Sequence, residues 1–176
     1  MKKHNMNYAL HGNDILKVFD GKIKIVVYSD LPQYKNIDQL LDPYGRVIIL
    51  YETNDIDNGH YTCLFRNDKG INYFDPYGMY LEKPLDYFGD GVRELTGSDE
   101  NFLNRLLYQD KYKVYYNNHR LQELKSGIST CGRWCIVRMI YPNIDEDEFY
   151  RIFKSASDDS GISMDKIVTD ITNKIL

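Results

Sequence analysis

Short apolar runs separated by polar turns fill the first third of the chain. Residues 22–31 are rich in β-branched side chains and predict a strand that ends before Pro32. Residues 37–42 predict a short helix that ends at or before Asp42, because Pro43 follows. Residues 45–52 are almost continuously apolar, which is typical of a strand buried on both faces. The polar residues that precede residue 22 are assigned no helix or strand.

A β-hairpin is predicted over residues 60–78. Its two apolar runs flank Asn67-Asp68-Lys69-Gly70, which places a glycine where a tight turn needs a positive φ. A register that pairs residue 60 with 75, 62 with 73 and 64 with 71 closes the turn inside this run. Antiparallel pairing would then bring His60 and Asp75 to the same end of the sheet, and Pro76 would take the chain out of the ladder.

The pattern in the rest of the chain is mainly helical. Residues 79–100 form a loop-rich connection, a helix is expected over 101–109 and a strand over 112–117. Residues 131–141 are apolar almost all round, which indicates a buried helix that Pro142 ends. Amphipathic helices are expected at about 145–155 and 163–175, the second with Ser163 as its N-cap. This order predicts a single α+β domain over residues 1–176 with a mixed central sheet.

Composition narrows the function classes. The 176 residues suit one domain, and a formal charge of -4 gives no excess of Lys and Arg for nucleic acid as a main partner. Two lysines near the N-terminus precede polar residues, and no apolar stretch approaches membrane-spanning length, so we expect a cytosolic protein without a membrane partner. An odd number of cysteines, three, favours reduced thiols over a disulfide framework.

The chemistry of a cysteine hydrolase can be assembled from this pattern. Such an enzyme needs a nucleophilic thiol, a base, a group that orients the base, and donors for the oxyanion. Cys131 follows Ser129 and Thr130, two N-cap residue types, and begins the buried helix, whose N-terminus favours a thiolate. Gly132 would leave room for a substrate backbone. His60 and Asp75 supply the base and its orienting carboxylate.

Each candidate also has an ordinary structural interpretation. Cys131 could be a small buried residue, His60 a solvated loop histidine and Asp75 a turn residue before proline. Cys63 and Cys135 are predicted core residues, and Trp134 is expected to pack. A zinc site would need a second pair of ligands that the chain lacks, so no metal or other cofactor is expected. The residues His4, His11 and His119 have no predicted acidic partner, and Arg133 needs either a partner or a substrate.

The same residues resemble a known family. Gly59-His60-Tyr61, Phe74-Asp75-Pro76-Tyr77-Gly78, Gln122 and Thr130-Cys131-Gly132-Arg133 are similar to motifs of the adenovirus maturation protease and of peptidases that process ubiquitin-like proteins. The Cys-Gly-Arg form resembles proteases of virophages, giant viruses and polinton-type elements. The resemblance implies a papain-like, adenain-like fold and an oxyanion role for Gln122. Tyr61 replaces a more usual Trp, and the nine positions from Gln122 to Cys131 exceed the family spacing, which a bulge at Gly127 would accommodate.

The resemblance also implies a biological role. It indicates a viral endopeptidase that cleaves capsid or virion precursor proteins after small residues such as glycine, acting as a monomer in the host-cell virus factory and within the virion. A DNA or peptide activator, as in the adenovirus enzyme, is not supported by the charge of -4. Two alternatives stay open: a protease of ubiquitin-like modifiers, and a binding module that has kept the fold without turnover.

Overall fold

The computed structural model describes residues 5–52, 59–88, 101–109 and 112–176. His4, residues 53–58 and the part of the expected connection at 89–100 lie outside the described residues. The strands are β1 (Ile25–Val27), β2 (Arg46–Glu52), β3 (Gly59–Asn67), β4 (Gly70–Phe74) and β5 (Val114–Tyr116). The helices are α1 (Gly12–Val18), α2 (Ile37–Leu40), α3 (Leu85–Phe88), α4 (Phe102–Tyr108), α5 (Cys131–Ile140), α6 (Glu146–Ser160) and α7 (Met164–Thr172), with a 3-10 helix over Tyr28–Gln33.

The five strands form one mixed sheet in the order β1-β2-β3-β4-β5. The central strands β2, β3 and β4 pair antiparallel, while β1 joins β2 and β5 joins β4 in parallel. The predicted α+β domain with a mixed central sheet is therefore confirmed. None of the helices in the described ranges is long and apolar enough to cross a membrane.

Helices cover the sheet on both faces. Along β2, Ile48 and Leu50 belong to one apolar cluster, whereas Val47, Ile49 and Tyr51 belong to another. Burial of each such side chain stabilises the fold by roughly 1.5–3 kcal/mol. The first cluster also contains α5, which packs against β3 and α7, so that its residues from Cys131 to Met139 are all buried. The predicted strand that is buried on both faces, β2, and the predicted buried helix at 131–141 are both confirmed.

Two predicted elements differ at their ends, and one helix has no predicted counterpart. The strand expected at 22–31 is limited to Ile25–Val27, because the chain turns at Tyr28 into the 3-10 helix, which buries Tyr28 and Leu31 in the second cluster. The short helix α1 was not predicted, because among its seven residues only Ile15 is an apolar side chain that is fully buried. Helix α6 extends to Ser160 rather than 155 and ends at Gly161, whose φ is +69°.

Other predictions at the residue level are confirmed. In α4 the apolar side chains of Phe102, Leu103, Leu106 and Leu107 are all buried. Ser163 caps α7, since its hydroxyl oxygen accepts a hydrogen bond from the backbone N–H of Lys166 at 3.3 Å. Cys63 and Cys135 are completely buried core residues with free thiols.

The register that was predicted for the β3–β4 hairpin is wrong by two positions. The observed ladder pairs Cys63 with Phe74 and Asn67 with Gly70, instead of residue 60 with 75. The side chain of Asn67 tightens the turn, because its Oδ1 accepts hydrogen bonds from the backbone N–H groups of Lys69 (3.0 Å) and Gly70 (3.2 Å). Gly70 has the positive φ that was predicted, +149°. Asp75 therefore lies just beyond the ladder and reaches His60 diagonally across the end of the sheet.

Candidate active site

Cys131 is the first residue of α5 and is 8% exposed. Backbone N–H groups in the first turn of a helix have no partner within that helix, so they are available to a negative charge at this position. Thr130 occupies the N-cap position, as predicted, but its side chain does not cap the helix. Its hydroxyl instead donates to Oδ1 of the buried Asp165. The first-turn N–H groups of α5 are thus not bound by the Thr130 hydroxyl.

Gly132 faces the N-terminal segment and Tyr61. A Cβ at this position would lie 3.4 Å from both Leu10 Cβ and a ring carbon of Tyr61, which is ordinary van der Waals contact. The role of Gly132 in leaving room for a substrate backbone stays a prediction. The backbone N–H of Ser129 donates to the carbonyl of Met6 at 2.8 Å. This hydrogen bond fixes the N-terminal segment next to the residues that precede Cys131.

His60 links the start of α5 to the β3–β4 hairpin. It lies in β3 opposite Tyr51, and its Nε2 donates to Oδ1 of Asp75 at 3.0 Å. The thiol of Cys131 is a second neighbour of the imidazole and also raises the pKa of His60. Because Nε2 is engaged by Asp75, the ring nitrogen that serves the thiol is Nδ1. The structure therefore brings the three predicted residues into one row.

The environment of His60 favours its charged form. Burial alone lowers the pKa of His60, but the charge and hydrogen bond of Asp75, followed by those of Cys131, outweigh it and raise the pKa to about 9. A protonated imidazole next to a thiol stabilises the thiolate, which is the nucleophilic form of cysteine. The row therefore holds an imidazole that favours its charged form between the carboxylate of Asp75 and the thiol of Cys131.

Asp75 is held by two neighbours that the sequence did not single out. Asn117 follows β5 and makes a pair of hydrogen bonds to the backbone of Asp75: Oδ1 accepts from its N–H at 2.8 Å, and Nδ2 donates to its carbonyl at 2.7 Å. The backbone N–H of Tyr77 donates to Oδ1 of Asp75 at 2.7 Å. The rings of Tyr77 and Tyr51 stack on the imidazole with centroid distances of 4.7 and 6.5 Å. These contacts fix the carboxylate and the imidazole plane.

Gln122 lies at the same site, but its amide is engaged elsewhere. Nε2 donates to the hydroxyl of Tyr77 at 3.1 Å and to the carbonyl of Ile128 at 3.4 Å. Its Oε1 is buried and has no hydrogen-bond partner among the described residues. The loop between Gln122 and Cys131 bends at Gly127, whose φ is +85°, as the longer spacing required. Rotation of the amide toward Cys131 would break only two bonds, of which the one to Ile128 is long.

A cavity of about 160 Å³ opens onto the thiol. Cys131, His60 and Gln122 line it, whereas Asp75 lies behind His60 and is completely buried. The remaining wall is mostly apolar or small and consists of Ala9, Leu10, Gly59, Tyr61, Tyr77, Ile128 and Ser129. The thiol can therefore be reached by a group that enters this cavity.

Comparison with known proteins gives one relative that spans the chain. Uncharacterized protein V9 of Sputnik virophage is 36% identical over 171 residues, which are 97% of this chain and 97% of that protein. The chain belongs to the V9 family. No model of an established protein family matches it. Among solved structures, this V9-family protein is similar to a crystal structure of the selenomethionine form of the ASFV pS273R protease, with 15% identity and a TM-score of 0.47 over 94% of this chain and 68% of that chain.

Arg133 of this V9-family protein has a partner inside the fold. It is completely buried, and its Nη1 donates to Thr172 Oγ1 at 2.6 Å and to Asn173 Oδ1 at 3.1 Å. Both partners lie at the C-terminal end of α7, where the helix dipole favours a cation. Arg133 thus joins α5 to α7 and does not line the cavity that opens onto Cys131.

One further side chain of this V9-family protein corrects the sequence interpretation, and another confirms it. His119 does have an acidic partner: its Nε2 lies 2.7 Å from Oδ1 of Asp147, and its ring stacks on Tyr150 at 4.3 Å. Trp134 packs against Phe149 and Phe153, as predicted. Within the part of the chain that the structure describes, no group of three or more His, Cys, Asp or Glu side chains could hold a metal ion.

Proposed function

We propose that this V9-family protein is a cysteine peptidase with Cys131 as nucleophile, His60 as acid and base, and Asp75 as the orienting carboxylate. The observation that carries the proposal is the row Cys131–His60–Asp75 at the start of a buried helix, with His60 hydrogen-bonded to Asp75 and a cavity that reaches the thiol. The row holds a nucleophile, a histidine with one ring nitrogen toward the thiol, and a buried carboxylate on the other ring nitrogen, which is the arrangement that nucleophilic acyl transfer needs.

The proposed reaction has two stages. The Cys131 thiolate attacks the peptide carbonyl carbon, the C–S bond forms, and the carbonyl oxygen becomes an oxyanion. The backbone N–H of Cys131 and the rotated amide of Gln122 stabilise that charge. His60 then gives its proton to the leaving amine as the C–N bond breaks. In the second stage neutral His60 takes a proton from water, which attacks the thioester and releases the carboxylate product and the thiol.

The substrate is proposed to be a protein with small residues around the scissile bond. The resemblance of the site residues to proteases that cleave after small residues supports this, and the cavity of about 160 Å³ gives such a substrate access to Cys131. The relative from a virophage fits a viral role, and we propose capsid precursors as the substrates, processed in the cytoplasm of the infected cell. Co-expression with the capsid proteins encoded beside the gene tests this step. Capsid proteins of unchanged size in the presence of the wild-type protein would contradict it.

The peptidase chemistry itself can be tested without the natural substrate. Carbobenzoxyglycine p-nitrophenyl ester places a glycine at the scissile ester bond and has a leaving group that is seen by its colour. The wild-type protein should release one p-nitrophenolate per chain in a fast burst, with the mass of one carbobenzoxyglycyl group added to the peptide that contains Cys131. A linear release without a burst, and without that added mass, would contradict the proposal.

Gln122→Ala should slow acyl transfer without changing the reactivity of the thiol. Loss of one oxyanion donor typically costs about 10²- to 10³-fold, so the rate of the p-nitrophenolate burst should fall by that factor. Alkylation of Cys131 by iodoacetamide forms no oxyanion and should keep its rate. Gln109→Ala, at the exposed end of α4, is the matched control and should leave both rates unchanged. Equal burst rates for Gln122→Ala and the wild type would remove Gln122 from the mechanism.

A further inference from the structure

One buried carboxylate connects the two sides of the proposed oxyanion site. Asp165 lies in the first turn of α7 and is 1% exposed. Its Oδ2 accepts a hydrogen bond from the backbone N–H of Glu123 at 2.9 Å. Its Oδ1 accepts from the hydroxyl of Thr130 and from Nε1 of Trp134, the latter at 3.0 Å. Three donors and the N-terminal end of α7 thus stabilise its charge.

The positions of these donors in the sequence give Asp165 its significance. Glu123 directly follows Gln122, whose side-chain amide is one proposed oxyanion donor. Thr130 directly precedes Cys131, whose backbone N–H is the other. The carboxylate therefore bridges the two ends of the loop 123–130 and sets the distance between the two donors. A displacement of about 1 Å in a catalytic group can cost about 10²-fold in rate.

The hydrogen bond from Thr130 to Asp165 has a second consequence, at the N-terminus of α5. A threonine at an N-cap position usually accepts a hydrogen bond from an N–H group of the first turn. Here the hydroxyl donates to Asp165 and caps nothing, so Asp165 determines where the Thr130 side chain points. The first-turn N–H groups of α5 thereby stay uncapped by Thr130, next to the cavity that holds the Cys131 thiol.

We propose that Asp165 is a positioning residue for acyl transfer, which holds the Gln122 amide and the Cys131 N–H at the separation that an oxyanion requires. The proposal rests on the cysteine peptidase function proposed above. Asp165 does not contact the thiol or His60 and acts only through Glu123 and Thr130. Its loss should therefore impair steps that form an oxyanion and spare those that need only the thiolate.

The test compares acylation with alkylation in isosteric variants. Asp165→Asn keeps the volume of the side chain but turns an NH₂ donor or a weaker acceptor toward the backbone N–H of Glu123. We expect the rate of the burst with carbobenzoxyglycine p-nitrophenyl ester to fall about 10²-fold, while the rate of Cys131 alkylation by iodoacetamide stays within about twofold of wild type. Thr130→Val removes one hydrogen bond only and should lower the burst rate about tenfold, which provides a result if Asp165→Asn fails to fold.

Trp134→Phe is the matched control, because it removes a third donor to the same carboxylate that is not adjacent to Gln122 or Cys131. It should lower the thermal midpoint of unfolding and leave the burst rate unchanged. The effects of Asp165→Asn and Gln122→Ala should also overlap, so that the double variant is slowed by less than the product of the two factors.

Two results would overturn the role of Asp165. One is a folded Asp165→Asn variant with a wild-type burst rate, and the other is an equal fall of burst and alkylation rates, which indicates a general structural loss. Failure of the peptidase function is distinguishable, because the wild-type protein itself would then show no burst.

Discussion

Cys131→Ala is expected to abolish the p-nitrophenolate burst and all turnover of a protein substrate, with a loss of roughly 10⁴-fold or more. The reason is chemical, since the proposed reaction proceeds through a covalent bond to sulfur, and the thiols of Cys63 and Cys135 are completely buried. Cys135 lies one turn further along α5 and is completely buried, and burial raises the pKa of its thiol well above the ordinary value. Burst titration, followed by mass analysis of the intact protein, measures the effect.

Cys135→Ala is the control that separates the role of the sulfur from its contribution to packing. Both substitutions remove a buried thiol from the same helix, and both should lower the free energy of unfolding by roughly 1 kcal/mol. Only Cys131→Ala should lose the burst. A burst that survives in Cys131→Ala, or that disappears in a folded Cys135→Ala protein, would contradict the assignment of the nucleophile.

Asp75→Asn is expected to reduce the burst rate at neutral pH by up to roughly 10⁴-fold. The amide can still accept a hydrogen bond from His60 through its oxygen, but it has no charge with which to stabilise an imidazolium. The pKa of His60 should fall from about 9, because burial then acts against a smaller opposing charge. Asp42→Asn replaces another buried aspartate, which binds backbone N–H groups of Tyr44 and Arg46, and should not change the burst rate.

The same substitution should change how stability depends on pH. The folded-state pKa of His60, about 9, lies above its ordinary value of 6.5. This difference contributes roughly 3 kcal/mol to the free energy of unfolding, fully present below about pH 6.5 and lost as the pH rises through about 9. In Asp75→Asn the fall in stability over this range should become smaller and move to lower pH. Urea unfolding at a series of pH values measures it, and identical profiles for the two proteins would contradict the coupling.

The sequence was sufficient for the elements that have a strong period or an unbroken apolar run. The run at 45–52 predicted a strand that is in fact buried on both faces, and the apolar run after Cys131 predicted the central helix. The position of Cys131 at the start of that helix followed directly from its place in the run. His60 and Asp75 could also be brought together, because any hairpin that turns near residue 68 places them at the same end of the sheet.

Contacts between residues far apart in the sequence could not be predicted in this way. The register depended on the side chain of Asn67, which tightens the turn and moves the pairing by two positions. Asn117 and Asp165 support the site through hydrogen bonds to Asp75, Thr130 and Glu123 that span 35 to 42 positions. An Asn after a strand and an Asp in a first helical turn are common residues at those places, and no local pattern marks them. Only the packing of the strands and helices shows what they bind.

The most direct test of the central claim is the pH dependence of Cys131 alkylation by iodoacetamide. If His60 and Cys131 form an imidazolium–thiolate pair, the rate at neutral pH should exceed that of a free cysteine thiol and should change little between about pH 6 and pH 9. In His60→Ala the fast reaction should be lost. A wild-type rate at neutral pH no higher than that of a free thiol, rising about tenfold per pH unit up to a pKa of about 8.5, would contradict the account.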